Sequence, residues 1–409
     1  MSKITKYALS DLYDMSSGLS SKKEQAGHGA PFVSFGTVFN NYFLPEELPD
    51  LMDTNEKEQQ IYSIKTGDVL ITRTSETIDE LAMSCVAVKD YPKATYSGFT
   101  KRLRPKREGI AYPKYMAFYF RSALFRDIFT FLDVYLPDYD EQVRIGDMLY
   151  NIECKIQKNK EINDYLEEMA KTIYDYWFVQ FDFPNENGKP YKSSGGKMVN
   201  SNGHIIPESW TFCKVQDIIS NICTGLNPRD NFKLGTGDIK YITVKNLTPN
   251  GTLDFTGCDT IDESARTIVH NRSDIQIGDI LFASIAPLGR CYLIQSEPTD
   301  WDINESVFSI RANTDIITPA FLYLYFMSDA FIKHATSSST GSIFKGIRIN
   351  TLLETELCVP PLSVILKFEE RLASIFPLKS KNYEEIQRLS NLRDWLLPML
   401  MNGQATIED

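Results

Sequence analysis

Residues 145–173 read IGDMLYNIECKIQKNKEINDYLEEMAKTI, and residues 368–396 read FEERLASIFPLKSKNYEEIQRLSNLRDWL. In the first stretch Ile145, Leu149, Ile152, Ile156, Asn159, Asn163, Leu166, Ala170 and Ile173 advance in alternating steps of four and three. In the second, Phe368, Leu372, Ile375, Lys379, Asn382, Ile386, Leu389, Arg393 and Leu396 do the same, each 223 residues further on. Leu149/Leu372, Ile152/Ile375, Asn159/Asn382 and Leu166/Leu389 are identical pairs. A repeat of about 3.5 residues over roughly four heptads is the pattern of helices that pair along a seam.

The first helix has a readable start. Asp138 follows Pro137 as an N-cap, and Glu141 stands in capping-box position. The helix can run to about Tyr176, on the order of 58 Å at 1.5 Å per residue. The second helix is predicted from near Pro361-Leu362-Ser363 to near Met401, with Gly403 just beyond. Pro377 predicts a kink or break near Phe376. A long helix with an apolar seam needs a partner, and the simplest one within the chain is its own repeat. The two helices are therefore expected to pair antiparallel, with Asn159 and Asn382 fixing the register. The alternative is that each helix packs on its own globular half.

Working outward, the rest of the chain repeats too. Ile64-Lys65-Thr66-Gly67-Asp68-Val69-Leu70 recurs as Ile275-Gln276-Ile277-Gly278-Asp279-Ile280-Leu281. Tyr115-Met116-Ala117-Phe118-Tyr119-Phe120 recurs as Phe321-Leu322-Tyr323-Leu324-Tyr325-Phe326, and Ser17-Gly18-Leu19 resembles Thr224-Gly225-Leu226. Ser122 and Phe125 continue as Ser328 and Phe331, and four matches in one order make a duplication. The segments expected are a globular half over 1–136, a helical spacer over 137–176, a central linker over 177–207, a second globular half over 208–360, a second spacer over 361–401 and a tail over 402–409. Each half mixes short strands, such as Pro31-Phe32-Val33-Ser34-Phe35 and Lys240-Tyr241-Ile242-Thr243-Val244, with a short aromatic helix over 113–126 or 319–334. The class is α+β. Trp177-Phe178-Val179-Gln180-Phe181-Asp182-Phe183-Pro184 is too aromatic for a solvated linker and is expected to dock on a domain; the Gly/Ser/Pro stretch after it is a polar connector.

A length of 409 residues predicts two or three domains, and 43% hydrophobic with 24% charged residues is ordinary globular composition. No run of 18 apolar residues occurs, so no membrane helix is expected, and no apolar leader follows Met1. Seven scattered cysteines without a C-x-x-C argue against a disulfide framework or zinc module and suit a reducing cytoplasm. His28, His204, His270 and His334 lie apart from one another and from any cysteine at ligand spacing. There is no P-loop, no G-x-G-x-x-G after a strand and no [DNS]-P-P-[FYW] loop of an amino-methyltransferase. The carboxylates at 138–141 are explained by helix capping.

A net charge of −11 argues against a generic nucleic-acid coat, but not against a reader with cations on one face. The one dense basic run is Lys101-Arg102-Leu103-Arg104-Pro105-Lys106-Arg107. It reads either as a solvated edge or as a phosphate contact. With Arg73, its cations Lys101, Arg102, Arg104, Lys106 and Arg107 are the candidate DNA residues of the first half. Those of the second half are Lys245, Ser284, Arg290, and Ser338, Thr340, Lys345 and Arg348 from a hydroxyl-rich basic loop. Each has an ordinary surface loop as its bland reading.

Two globular halves, each trailed by a helix with the same seam, resemble the specificity subunit of type I restriction–modification systems. The resemblance spans essentially the whole chain. Its most specific block runs from Glu161-Ile162-Asn163-Asp164-Tyr165-Leu166-Glu167 through Trp177-Phe178 to Gly195-Gly196-Lys197-Met198. Ile206-Pro207-Glu208-Ser209-Trp210 and the two Gly-Asp-[Val/Ile]-Leu strands agree with it. The resemblance implies two target-recognition domains, each reading one half of a split double-stranded DNA sequence, with the paired helices as a ruler for the unread gap. It implies no catalytic residue in this chain. It implies two adenine-N6 methyltransferase subunits and ATP-driven restriction/translocase subunits as partners, with S-adenosylmethionine, ATP and Mg on those partners and no cofactor here.

One departure matters. Phe326 to Pro360 spans 34 residues, whereas Phe120 to Pro137 spans 17. The first half lacks a counterpart of the 337–350 loop, so if that loop reads bases, the first half reads poorly or differently. The competing readings are a coiled-coil scaffold that joins proteins without DNA, and an enzyme with an unrecognised pocket of titratable groups.

Overall fold

The computed structural model describes residues 4–73, 82–128, 133–201, 203–255, 257–337 and 346–407, with backbone alone over 126–128. The chain forms two compact units, one of Met1–Asn159 with Glu384–Asp409 and one of Lys160–Tyr383. The division falls inside the long helices, so each unit contains a globular part and a stretch of helix pair.

In the first unit, strands Tyr13–Ser17, Thr100–Pro105, Val69–Thr72 and Ser84–Val86 lie side by side in that order, all antiparallel. A second sheet orders Asp50–Met52, Ala26–Val33 and Thr95–Tyr96, the last pair parallel. Thr5–Ala8 pairs with Asp133–Leu136, the strand that feeds the first long helix. The second unit repeats all three sheets. Ile219–Thr224, Val307–Ala312, Ile280–Ala283 and Cys291–Leu293 form the four-stranded one, and Asp259–Ile261, Ile239–Ile242 and Trp301–Ile303 the three-stranded one. Thr211–Lys214 pairs with Glu356–Val359. Registers repeat as well: Thr5 faces Leu136 as Thr211 faces Val359, and Leu70 faces Arg102 as Leu281 faces Ser309.

Val69–Thr72 and Ile280–Ala283 are buried on both faces, which is why they read as unbroken apolar runs. Each expected aromatic helix is two helices, Pro113–Tyr119 with Ala123–Ile128, and Pro319–Phe326 with Asp329–Ser337. The joint is a serine. Ser122 Oγ donates to the Tyr119 carbonyl and accepts from Phe125 N, and Ser328 does the same with Tyr325 and Phe331. This is side-chain capping that ends one helix and starts another.

The first long helix is Tyr139–Tyr174, followed by a π-helical turn at Asp175–Val179. Asp138 caps it, accepting from Glu141 N at 2.9 Å. Glu141 does not complete the capping box; its carboxylate turns inward to Arg144 at 2.6 Å. The second is two helices, Leu362–Leu372 and Ile375–Met401. The break comes at Ala373-Ser374, ahead of the expected Phe376. Pro377 sits in the first turn of the new helix, where a missing N–H costs no hydrogen bond.

The seams face inward. Ile145, Leu149, Ile156 and Asn159 are buried in the first unit, and Phe368, Leu372, Ile375 and Asn382 in the second; Ile386 is buried, and Ile152, Leu166, Ile173, Leu389 and Leu396 are partly so. Polar seam contacts set an antiparallel register. In the first unit Arg393 Nη1 meets Glu153 Oε2 at 2.5 Å, and Asn159 donates to Glu385 at 3.0 Å. In the second unit Asn382 donates to Asn163 at 3.1 Å, and Lys379 pairs with Glu167, which also accepts from the Tyr323 hydroxyl. Asn159 and Asn382 therefore act separately, each with a different partner.

The 177–207 segment is folded. Trp177, Phe178 and Phe183 are buried against Trp210, Phe321 and Phe368. Asp182 holds Ser193 through its N at 2.7 Å and its Oγ at 2.6 Å, which keeps the carboxyl below its ordinary range. Met198–Ser201 and His204–Pro207 close a hairpin.

Candidate nucleic-acid interface

The Gly-Asp repeat builds the same device in both units. Gly67 and Gly278 take φ values of +85° and +91°, a turn that favours glycine. The next residue, Asp68 or Asp279, is buried and accepts from the backbone N of Lys65 or Gln276. Each then receives an arginine fork. Arg104 reaches Asp68 at 2.8 and 2.6 Å, and Arg311 reaches Asp279 at 2.7 and 2.9 Å. The forks also donate to the carbonyls of Ser63 and Asp274, which stand at equivalent positions. The Asp68 hydrogen bonds raise the Arg104 pKa, and Asp279 does the same for Arg311. Bidentate pairs of this kind are directional and pin a strand to a turn.

This device divides the basic run. A strand alternates its faces, so Arg102 and Arg104 point one way and Lys101 the other. Arg102 is buried, donates to the Ser63 carbonyl and lies 5.5 Å over the Tyr96 ring. Arg102 is therefore a brace inside the unit, which corrects its reading as a DNA contact, while Arg104 braces Asp68 with its side chain 28% exposed. Lys101 and Arg107 are exposed. Lys106 is exposed as well and donates to the Ser10 carbonyl at 2.8 Å.

Arg73 and Ser284 occupy one repeat position, just past the ends of Val69–Thr72 and Ile280–Ala283. Arg73 N donates to the Phe99 carbonyl, and Ser284 N to the Ser306 carbonyl. Arg73 is exposed, with Nη1 3.2 Å from the Gly98 carbonyl. Beside it Phe99 is 65% exposed. An aromatic ring standing in water next to Arg73 and Lys101 is a feature the sequence reading missed. Its only signal was position, directly after Ser97-Gly98 and before the basic strand.

In the second unit the segments that carry four candidates are linked to one another. Ser284 is buried and donates to the Ser306 carbonyl at 2.7 Å. Its own carbonyl accepts from Ile347 N, which places exposed Arg348 next in the chain. Arg290 Nη1 donates to the Leu247 carbonyl at 3.0 Å, two residues from exposed Lys245. Ser338, Thr340 and Lys345 lie outside the described residues. The rim is thus fed by the strand end, the 284–290 turn, the 244–247 turn and the residues after the loop.

Among the described residues no group of His, Cys, Asp and Glu is placed to hold a metal ion, and no helix is long and apolar enough to cross a membrane. Ser273, His270 and Asp302 do meet, but Ser273 Oγ donates to Asp302 at 2.6 Å and His270 Nδ1 lies 3.0 Å from the other carboxylate oxygen. Serine and histidine each bond to the aspartate, so this is no nucleophile–base relay. Burial pushes the Asp302 carboxyl above its ordinary range. The cluster fastens helix Glu263–Ser273 to strand Trp301–Ile303.

Each α+β unit carries its own stretch of antiparallel helix pair, and comparison with known proteins shows what such a duplicated chain is similar to. The family model for the type I restriction modification DNA specificity domain matches residues 207–388. The chain is 23% identical to the type I restriction enzyme HindI specificity subunit of Haemophilus influenzae, over 91% of this chain and 94% of that one. It is 21% identical to the MjaIX specificity subunit of Methanocaldococcus jannaschii, over 95% and 89%. In fold it resembles the type I restriction–modification S subunit from M. genitalium, with a TM-score of 0.54, 13% identity and coverage of 98% and 96%. Over most of its length, then, the chain is similar to type I restriction–modification specificity subunits, and residues 207–388 match the family's DNA specificity domain.

Proposed function

We propose that this chain is the DNA-reading subunit of a type I restriction–modification complex. Each unit reads one half of a bipartite double-stranded target, and the helix pair sets the unread gap. The observation that carries the reading is that the same strand end in both units leads to exposed cations, Arg73 beside exposed Phe99 in one and Arg348 beside buried Ser284 in the other. Cations gathered on one rim allow an acidic protein to meet phosphates and base edges without a basic surface overall. The likeness to subunits named for specificity supports it.

The chain itself is non-catalytic. Two adenine-N6 methyltransferase subunits and restriction/translocase subunits are its partners, and S-adenosylmethionine, ATP and Mg belong to them. The first unit, which lacks the 17-residue insert, reads its half-site through a smaller surface.

The test is a methylome. Expressed with its methyltransferase subunit in a methylation-free host, the chain is expected to yield N6-methyladenine in a split motif with a fixed gap. A motif with one defined half would assign recognition to a single unit. An assembled complex with no new methylation and no salt-dependent DNA binding would instead favour the protein scaffold.

A further inference from the structure

One turn is built alike in both units and tipped differently. In the first unit it is Ser97-Gly98-Phe99-Thr100, and in the second Asn304-Glu305-Ser306-Val307. Ser97 N and Asn304 N donate to the carbonyls of Val33 and Ile242, which hold equivalent places in the three-stranded sheets. Thr100 N closes back on the Ser97 carbonyl at 2.9 Å, as Val307 N does on that of Asn304 at 3.3 Å. Phe99 N donates to Ser97 Oγ at 3.2 Å, and Ser306 N to Asn304 Oδ1 at 3.0 Å. The carbonyls of Phe99 and Ser306 accept from Arg73 N and Ser284 N. Backbone groups and the side chain of the first residue make the whole turn. Its third residue can be serine, so the fold does not ask for a ring at 99.

The ring stands in water all the same. Phe99 is 65% exposed, and no other phenylalanine among the described residues is exposed. A single exposed apolar side chain is ordinary on a surface. Here, however, the mounting is rigid. Gly98 N donates to the Leu19 carbonyl at 2.7 Å, and the Gly98 carbonyl accepts from Arg73 Nη1 at 3.2 Å. A Cβ at Gly98 would stand 2.9 Å from the Leu19 oxygen, so the turn lies tight on that chain. With both neighbouring residues pinned, the ring is presented with little backbone freedom left to lose on binding. Arg73 is exposed beside it, and exposed Lys101 follows two residues along.

We propose that Phe99 is a wedge that inserts between stacked base pairs of duplex DNA, with Arg73 and Lys101 meeting the phosphates beside it. The proposal rests on the DNA-reading function above and names what the first unit adds to it. A phenyl ring has no hydrogen-bonding edge, so it reads how readily a base step opens. Pyrimidine–purine steps open most easily, and the wedge selects one of them without touching a base edge. The second unit lacks the device. Its turn carries Ser306 and Glu305, the latter accepting from Asn227 Nδ2 at 2.6 Å.

The test uses the chain assembled with its methyltransferase subunit, titrated against a fluorescein-labelled duplex of the methylated motif and read by anisotropy over a range of salt. Phe99→Ala is expected to weaken binding by about tenfold or more, the usual worth of a base stacked on an aromatic ring. The salt slope should stay as it was, because no phosphate contact is lost. Phe99→Trp should bind within about twofold of the unaltered chain. An abasic site moved through the motif gives the second readout. Where the wedge enters, the step is already unstacked, so the unaltered complex binds severalfold tighter and Phe99→Ala loses that gain. At the adenine to be methylated, any such gain belongs to base extrusion and persists in both. Salt-dependent binding that Phe99→Ala leaves unchanged, or weakens only through the salt slope, would overturn the wedge and leave the DNA-reading function standing. A Phe99→Ala chain that no longer assembles with the methyltransferase would overturn it too, by placing the ring on a protein. No salt-dependent DNA binding by the unaltered complex would overturn the function and the wedge together.

Discussion

The two units share a frame and differ at its ends. Asp68 with Arg104 and Asp279 with Arg311 make the same fork, to the same turn, with the same extra carbonyl. At the far end of each helix pair the second unit packs Trp177, Phe178 and Trp210, where the first leaves a cavity beside Glu141. Before its second helix the second unit also inserts helix Ile349–Leu353 and joins Gly346 to Ile285, for which the described residues of the first have no counterpart. The lesson is a separation of duties. The ion pair and strand registers hold the sheets in place, so the rim and the helix end are free to diverge.

The largest effect should come from the helix pair. Lys379 and Glu167 have side chains 6% and 4% exposed, and Arg393 and Glu153 14% and 6%. Removing one partner strands a buried charge, which typically costs about 3–5 kcal/mol. Lys379→Met is expected to destabilise the second unit by about that much, and Arg393→Met the first by less, because Arg393 is more exposed and also touches Asp394 at 2.9 Å. Adding Glu167→Met to Lys379→Met should recover most of the loss. Urea unfolding read by tryptophan reports mainly on the second unit, which holds Trp177, Trp210 and Trp301. If the double variant is no more stable than the single one, the pair is not a compensated charge.

The forks give the next effect and the most direct test of equivalence. Asp68→Ala and Asp279→Ala should each cost about 2–3 kcal/mol, below a fully buried pair because the arginine side chains are about a quarter exposed and can turn to water. Paired melts of the two variants should move alike. A large shift in one and none in the other would end the claim that the frame is shared.

Much of this was legible in the sequence, and the misses have physical causes. The seam showed because burial along one helix face imposes its period on residue choice, and the antiparallel pairing followed from the repeat. The break at Ala373-Ser374 was misplaced because a proline marks a first turn as readily as a kink. Glu141 matched a capping box by spacing, but spacing does not register that the first helix turn is walled by Ile4 and Leu400. The basic run hid its own division, since five cations in seven positions read as one patch until the strand buried Arg102 and turned Arg104 onto Asp68. Phe99 escaped because an aromatic in a strand-forming stretch is ordinarily core.

The smallest effect, and the one that bears on recognition, compares Arg73→Ala with Arg348→Ala. Both are exposed and neither belongs to the forks. A side chain that reads a base edge contributes about 1–3 kcal/mol of discrimination, so its loss should weaken the complex on its target by roughly ten- to a hundredfold and relax one position of the motif. A side chain that only meets phosphate should weaken all sequences alike and lower the salt slope by about one. If the rims are equivalent, Arg73→Ala relaxes one half of the methylated motif and Arg348→Ala the other. If only Arg348→Ala relaxes a position while Arg73→Ala acts through the salt slope, base reading rests on what the second unit inserts and the first unit grips backbone. A methylome untouched by either substitution would remove both residues from the interface and move the search to Phe99, Lys101 and Lys245.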